Sequence, residues 1–242
     1  MCYDRGEISS KRITEAINQN DEAFILDNIK TICRTNKEDE YGFGLIEVTL
    51  LGYPKKTNIT HLLLNGGCRP VSETKDEETA VFLLLDYREA DIELMNRLID
   101  AGVDINKRTR KGSDALSMAI LKGRLDLLKE LIGRGASIRK YENNRTILMI
   151  AASHSEDYRV NIIDYLIKNN ISNVNDLDDN GRDALYYAIR SGNRLGVLRL
   201  IRAGADLNRK YDEGKTSLAL AREKTNKEIA RILEKEIKSR KN

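Results

Sequence analysis

Two histidines, three cysteines and a scatter of serines are the side chains of this 242-residue chain best suited to chemistry at neutral pH. His154 stands between Ser153 and Ser155, the residue types of a hydrolytic pair. Neighbours in sequence do not make a relay, because a nucleophile needs its base across a gap built by the fold and a third group to orient that base. No glycine elbow accompanies these serines. His61 precedes Leu62-Leu63-Leu64, where a packed imidazole is expected rather than a general base. Cys2, Cys33 and Cys68 are odd in number and lack paired metal-ligand spacing, so the sequence predicts free thiols in a reduced, intracellular chain. A zinc site joining them with His61 is the alternative. Gly112, Gly123 and Gly135 form no phosphate-binding loop and read as turn and helix-end glycines. Catalytic residues, cofactors and metals are accordingly not expected, and the function is sought in binding.

The elements that must position a binding surface are clearest in residues 178 to 208, DDNGRDALYYAIRSGNRLGVLRLIRAGADLN. Gly181 suits a turn with positive φ, and Asp183 is placed to cap a helix carrying Leu185, Ala188 and Ile189 on one face. Gly192-Asn193 ends that helix. A second runs through Leu195, Val197, Leu198, Leu200 and Ile201 to Gly204. The unit repeats: Val81, Leu116, Leu148, Leu185 and Leu218 stand at steps of 35, 32, 37 and 33 residues. Two residues before each is a side chain able to cap, namely Thr79, Asp114, Thr146, Asp183 and Thr216. Gly102, Gly135, Asn170 and Gly204 close the first four second helices. Such a pair of short helices cannot bury its apolar face alone and needs neighbours.

With AGVDIN at 101 to 106, KGSDALSMAILKGRLDLLKELIGRGAS at 111 to 137, NRTILMIAA at 144 to 152, NGRDALYYAIRSGNRLGVLRLIRAGADLN at 180 to 208 and EGKTSLALA at 213 to 221, the chain resembles the ankyrin repeat family over roughly residues 42 to 238. A tetratricopeptide array has a similar period but lacks the Gly-Ala-Asp-x-Asn exit. The resemblance implies an all-α solenoid of about six to seven stacked helix-turn-helix repeats with capping repeats at both ends. Residues 1–41 are expected as a helical cap or degenerate repeat, with two amphipathic patterns in 9–34. Repeats follow at about 42–72, 73–108, 109–140, 141–177, 178–210 and 211–238, then a disordered tail at 239–242. In the one at 42–72, Leu45, Val48, Leu50 and Leu51 form the expected apolar set. The family's Thr-Pro-Leu-His is nowhere intact: its histidine position holds Phe82, Ser117, Met149, Tyr186 and Ala219, which puts the hydrogen bonding between turns in question. Repeats three and five carry insertions between their helices, the latter His154 to Arg159, read as a partner contact or as tolerated drift.

Ankyrin-like stacks bind other proteins through their turn tips and the exposed face of their first helices. Carried over by repeat, the contact positions are Arg110, Lys111, Ser113, Leu121 and Lys122; then Asn143, Arg145, Ser153 and His154; then Asp179, Asn180, Arg182, Arg190 and Ser191; and finally Asp212, Glu213 and Lys215. Leu121 is either an apolar anchor for a partner or a residue packed on the adjoining repeat.

Charge is distributed unevenly: residues 1–106 hold 12 Lys and Arg against 20 Asp and Glu, while the remainder is net positive within a total of +3. A field of this kind steers charged partners. In the basic part acidic residues interleave with the cations, and no aromatic platform accompanies them, so nucleic acid is not the expected partner. The densest apolar run, AVFLLL at 80 to 85, is too short to span a membrane. The expected partner is another protein, bound by a cytoplasmic chain that is monomeric when free and not an enzyme. Sequestration or inhibition of that protein, as by an immunity or antitoxin-type inhibitor, is the leading role. An effector or host-range factor acting in another cell, and a scaffold joining two proteins, are the alternatives.

Overall fold

The computed structural model describes residues 8–34, 38–39, 41–71, 73–155, 159–223 and 226–240. Their α-helices come in seven successive pairs: α1 (Ser10–Gln19) with α2 (Glu22–Arg34), α3 (Leu45–Leu50) with α4 (Thr57–Asn65), α5 (Ala80–Leu85) with α6 (Ile92–Asp100) and α7 (Ala115–Leu121) with α8 (Leu125–Gly133). The series continues with α9 (Ile147–Ala152) and α10 (Val160–Lys168), α11 (Ala184–Ser191) and α12 (Arg194–Arg202), and α13 (Ser217–Glu223) and α14 (Lys227–Ser239). The described residues contain no strand, only an isolated antiparallel bridge between Lys210 and Thr216. The fold is that of an ankyrin-repeat helical solenoid. By its contacts the chain divides into two compact units, residues 1–118 and 119–242.

From α5 onward each first helix starts where a side chain can satisfy its free N–H groups, whereas α3 starts at Gly44 without such a cap. Thr79 accepts from Phe82 N, Asp114 from Ser117 N, Thr146 from Met149 N, Asp183 from Tyr186 N and Thr216 from Ala219 N. The predicted stops also hold: Gly102, Gly135, Asn170 and Gly204 have φ of 99°, 89°, 52° and 90°. Most of these first helices have only six to eight residues, too short to persist in isolation, so their stability comes from packing.

In the first unit, Ile13, Ala16 and Ile17 of α1 and Ile25 and Ile32 of α2 bury the faces predicted from the two amphipathic patterns. Gly66 permits close packing of α2 and α4, since a Cβ there would lie 2.0 Å from Ile29 Cγ1. The apolar set expected for α3 requires correction. Ile46, Glu47, Thr49 and Leu50 are buried, whereas Leu45 and Val48 are half-buried and Leu51 is 53% exposed. The helix presents its 46/49/50 face because polar groups on that face find partners. Thr49 Oγ1 donates to the Ile46 carbonyl at 2.7 Å and accepts from Thr60 Oγ1 of α4 at 2.9 Å. Glu47 Oε1 accepts from Val71 N at 3.1 Å, but its buried Oε2 finds no partner among the described residues. Burial raises the Glu47 pKa from the ordinary 4.5 to about 7, against backbone hydrogen bonds that act to lower it.

The expectation of free thiols is also overturned: Cys33, in the last turn of α2, forms a disulfide with Cys68, three residues beyond α4. Their separation of 35 residues matches the spacing of the repeats, which places them at corresponding points of adjacent hairpins. Cys2 lies outside the described residues.

In the second unit, successive hairpins complete one another's helix ends. Arg159 is 4% exposed, and its guanidinium donates to the carbonyls of Ile120 and Leu121 at the end of α7. The long connection from α9 to α10, whose residues 156–158 lie outside the described residues, thus delivers a buried cap. Ser191 donates to the Ala152 carbonyl and Asn193 to that of His154. Arg240 donates to the carbonyls of Ile201 and Ala205. The boundary expected before 239 is therefore too early: α14 includes Ser239, Arg240 is held, and only 241–242 lie outside the description. Of the aligned apolar positions, Val81, Leu116, Leu148 and Leu185 are buried, but Leu218 is half-buried. In α13 the buried face is instead Ser217, Leu220 and Ala221, with Ser217 donating to the Leu207 carbonyl.

Two outcomes follow from the first unit. Since the folded-state pKa of Glu47 lies above its unfolded value, its contribution to stability is fullest below pH 4.5 and is lost as pH rises towards 7. Glu47→Gln removes that slope and is expected to stabilise the chain above pH 7 by about 3 kcal/mol, read from urea midpoints at several pH values. Reducing the Cys33–Cys68 bond opens a loop of about one repeat and is expected to cost about 3–4 kcal/mol, measured by the same unfolding curves with and without dithiothreitol.

Candidate protein-binding surface

The exposed tips between hairpins are tight turns closed by a backbone hydrogen bond from the N–H at their start to a carbonyl four residues on. Thr109 N donates to the Ser113 carbonyl, Tyr141 N to that of Arg145, Asp178 N to that of Arg182 and Tyr211 N to that of Lys215. Each tip contains residues with positive φ: Gly112, then Asn143 and Asn144, Gly181, and Glu213 with Gly214. Gly181, at 71°, has the conformation its sequence context predicted.

Within the first unit, Arg110 and Lys111 are exposed and Ser113 is half-buried. Arg110 fastens its tip to the preceding one: its N–H donates to the Asp76 carbonyl, its guanidinium donates to the Lys75 carbonyl, and it pairs with the Asp76 carboxylate at 3.5 Å. All three residues lie at the edge of a cleft of about 510 Å³.

The second unit has an interlocked set of tyrosines, carboxylates and arginines. Arg182 grips Asp212 with Nε and Nη2 and lies over the Tyr186 ring at 4.8 Å. Tyr186 donates its hydroxyl to Asp212 Oδ2 at 2.9 Å, and Tyr187 donates to Asp178 Oδ2 at 2.6 Å beneath the Arg145 guanidinium. Tyr211 and Arg209 both donate to Asp183, which is fully buried and also caps α11. The ring of Tyr186 contacts those of Tyr187 and Tyr211 at 5.5 and 5.2 Å. Burial, reinforced by Asp178, pushes the Tyr187 hydroxyl up to about 12. Burial and Asp183 push that of Tyr211 still higher, so both stay protonated and donate at neutral pH. The Tyr186 hydrogen bond, with Arg182, holds Asp212 below the usual carboxylate range.

This set answers the question left by the missing family histidine. Tyr186, at that position, supplies a bond to the next turn by way of Asp212. Ser117 instead exchanges hydrogen bonds with Asp114, and Met149 accepts from Thr146 N through its sulfur, so these two substitutes act within their own helix starts.

The other expected contact residues divide by what they touch. Leu121 is 43% exposed while its carbonyl is held by Arg159. Lys122 is half-buried just beyond α7. Asn143, Asp179 and Asn180 are exposed, with Asp179 N donating to the Asn143 carbonyl and Asn180 N to Asp178 Oδ1. Arg145 lies over Tyr187 at 4.9 Å. Ser153 and His154 are in contact, yet Ser153 Oγ donates to the Ile150 carbonyl at 2.8 Å, as a helix-end residue does. Arg190 is exposed at the end of α11, and Ser191 is tied to α9. Glu213 pairs with Lys215, which also meets Glu223. His61 contacts the Arg97 guanidinium, and burial followed by that charge lowers its pKa. Among the described residues no group of three or more His, Cys, Asp or Glu side chains is arranged to hold a metal. The sequence-based list missed Tyr187, Tyr211 and Asp178 because they partner residues in the same or adjoining turns; the run of tyrosine and aspartate around 178–187 was the available signal.

Stacked helical hairpins joined by locked, solvent-facing turns define a repeat protein of the interaction class. Residues 116–211 match the model for ankyrin repeats in three copies, so the chain carries ankyrin repeats over this stretch. It is 28% identical over 169 residues to the B-cell lymphoma 3 protein homolog of Mus musculus, covering 68% of this chain and 37% of that protein. It is 25% identical over 157 residues to an ankyrin repeat-containing protein of Treponema pallidum, covering 65% and 40%. It is 28% identical over 213 residues to the human neurogenic locus notch homolog protein 2, covering 88% and 8%. The chain thus spans less than half the length of each of these relatives. Ankyrin repeats are protein-protein interaction modules. No helix of the described residues is long and apolar enough to cross a membrane.

The tyrosine–carboxylate set gives a graded expectation. Asp183→Ala leaves Tyr211, Arg209 and the start of α11 without their buried acceptor and is expected to cost about 3–5 kcal/mol. Asp212→Ala, at a half-exposed tip, is expected to cost about 1 kcal/mol. Guanidinium unfolding of both variants beside the wild type measures the difference.

Proposed function

We propose that the chain occludes part of another protein's surface, using its turn tips and the adjoining faces of its first helices, and inhibits that protein by doing so. The supporting observation is that the tips are exposed yet tied to one another: Arg110 to Lys75 and Asp76, Asp179 to Asn143 and Asn144, and Arg182 to Asp212. A surface already ordered before association loses little conformational freedom on binding, which favours tight capture of a complementary face. An immunity or antitoxin-type inhibitor would work in this way without catalysis. An effector acting on a target-cell protein would use the same surface. The pairing of Cys33 with Cys68 favours a compartment in which thiols oxidise over the cytoplasm.

The uneven charge supports a second reading, a scaffold that holds two different proteins: residues 1–118 carry 16 Lys and Arg against 21 Asp and Glu, and the remainder has the opposite balance. Photo-crosslinking side chains placed singly at positions 111, 121, 180 and 190, with controls at the exposed second-helix positions 129 and 231, test both readings in the source cells. Occlusion predicts one protein crosslinked from the first set and not from the controls. Two proteins, one from position 111 and another from 180 and 190, would favour the scaffold. Equal labelling from both sets would refute both.

A further inference from the structure

The cleft of about 510 Å³ in the first unit has a chemical character that its position alone does not dictate. Its apolar part is made by Leu51, Phe82, Leu83 and Met118. Leu83 and Met118 are nearly buried, at 8% exposure each, while Phe82 is half-buried and Leu51 is 53% exposed. An open apolar surface of this kind seats a side chain of a partner. The volume falls within the roughly 300–1,000 Å³ of clefts that enclose small ligands or a few side chains.

The polar part is biased towards negative charge. Asp76, Glu78 and Asp86 line the cleft together with Arg110 and Lys111. Arg110 pairs with Asp76 and donates to the Lys75 carbonyl, so these two opposite charges largely offset each other. The lining as a whole holds the carboxylates of Asp76, Glu78 and Asp86 against the two cations of Arg110 and Lys111. Partial burial raises the Glu78 pKa, and the repulsion of Asp76 and Asp86 adds to it ahead of the opposing effect of Lys111. A carboxylate held in this way gains from an incoming cation. The whole unit has the same sign, with five more acidic than basic side chains in residues 1–118.

The geometry points to this cleft as the seat of a basic, apolar-anchored protein segment, one that sets a Leu-, Met- or Phe-sized side chain on Leu51, Phe82 and Met118 and directs a flanking Lys or Arg at Glu78 and Asp86. This rests on the reading of the chain as a protein-binding module and adds the chemistry of the segment recognised. The apolar contact supplies affinity, and the carboxylates reject segments whose flanking residues are acidic. Binding weakens as salt rises, because the rim charges are open to solvent.

Fluorescein-labelled nonapeptides test it with the full chain by anisotropy. One set has a central Leu or Phe between Lys and Arg, a second replaces those cations by Glu, and a third replaces the central residue by Gly. The first set is expected to bind at least tenfold more tightly than either other set. Glu78→Lys combined with Asp86→Lys should weaken the first set at least tenfold, and Leu51→Ser about threefold or more. Lys111→Glu, at an exposed position, should tighten it severalfold, a gain that an unfolded variant cannot give. The inference is overturned if the Glu-flanked set binds equally well, or if the carboxylate variants leave the first set unchanged. It is also overturned if sedimentation velocity shows the chain pairing with itself through this cleft, so that Glu78→Lys with Asp86→Lys abolishes that pairing. Failure here with successful crosslinking from positions 180 and 190 rejects the basic segment alone. Absence of specific crosslinks from every turn-tip position rejects the wider reading.

Discussion

The constraint on which this structure depends is that short helices leave polar backbone groups open at both ends, and these must be satisfied without a long helix to dilute their cost. At the starts, the hairpin's own Thr or Asp does so; Asp183 and Thr146 are two such caps. At the ends, the donor comes from a neighbouring hairpin. Arg159 holds the end of α7, Ser191 that of α9, and Arg240 that of α12. Each unit is consequently held by polar links at intervals of about one repeat as well as by its layers of Ile, Leu and Ala.

The division of labour between these links and the apolar layers explains what was legible in the sequence. Caps and stops are local, so Thr79, Asp114, Thr146, Asp183 and Thr216 could be assigned from their own surroundings, and so could Gly102, Gly135, Asn170 and Gly204. Links between repeats require the partner's position to be known. Hence Arg159 was visible only as part of an insertion, and Cys33 and Cys68 only as two of an odd set, although their spacing matched the repeat. The rotation of α3 was illegible for another reason. Six residues are too few to fix a face by periodicity when Thr49 and Glu47 compete with Leu45, Val48 and Leu51 for the interior.

The expected contact residues show the same limit. Positions carried over from a repeat family mark turn tips and the ends of first helices, and of these Arg110, Asn180 and Arg190 are exposed. They do not reveal which tip residues are already engaged within the chain. Arg182 and Asp212 hold each other, Arg145 covers Tyr187, and Ser191 is bound to α9. The tyrosines replace what one histidine in every repeat would have supplied by a single bridging set between two turns, and that choice can be seen only when side chains from three hairpins are considered together.

The connection that delivers Arg159 bears on how interchangeable the modules are. A longer crossover ordinarily loosens the junction between two hairpins, yet here it is the segment that bolts the preceding one in place. A module cut from this chain at Ala152 would leave its neighbour with an open end, and a standard-length replacement would arrive without the bolt. Shuffling, grafting or trimming at this junction is therefore constrained by a residue that belongs to one module and serves another.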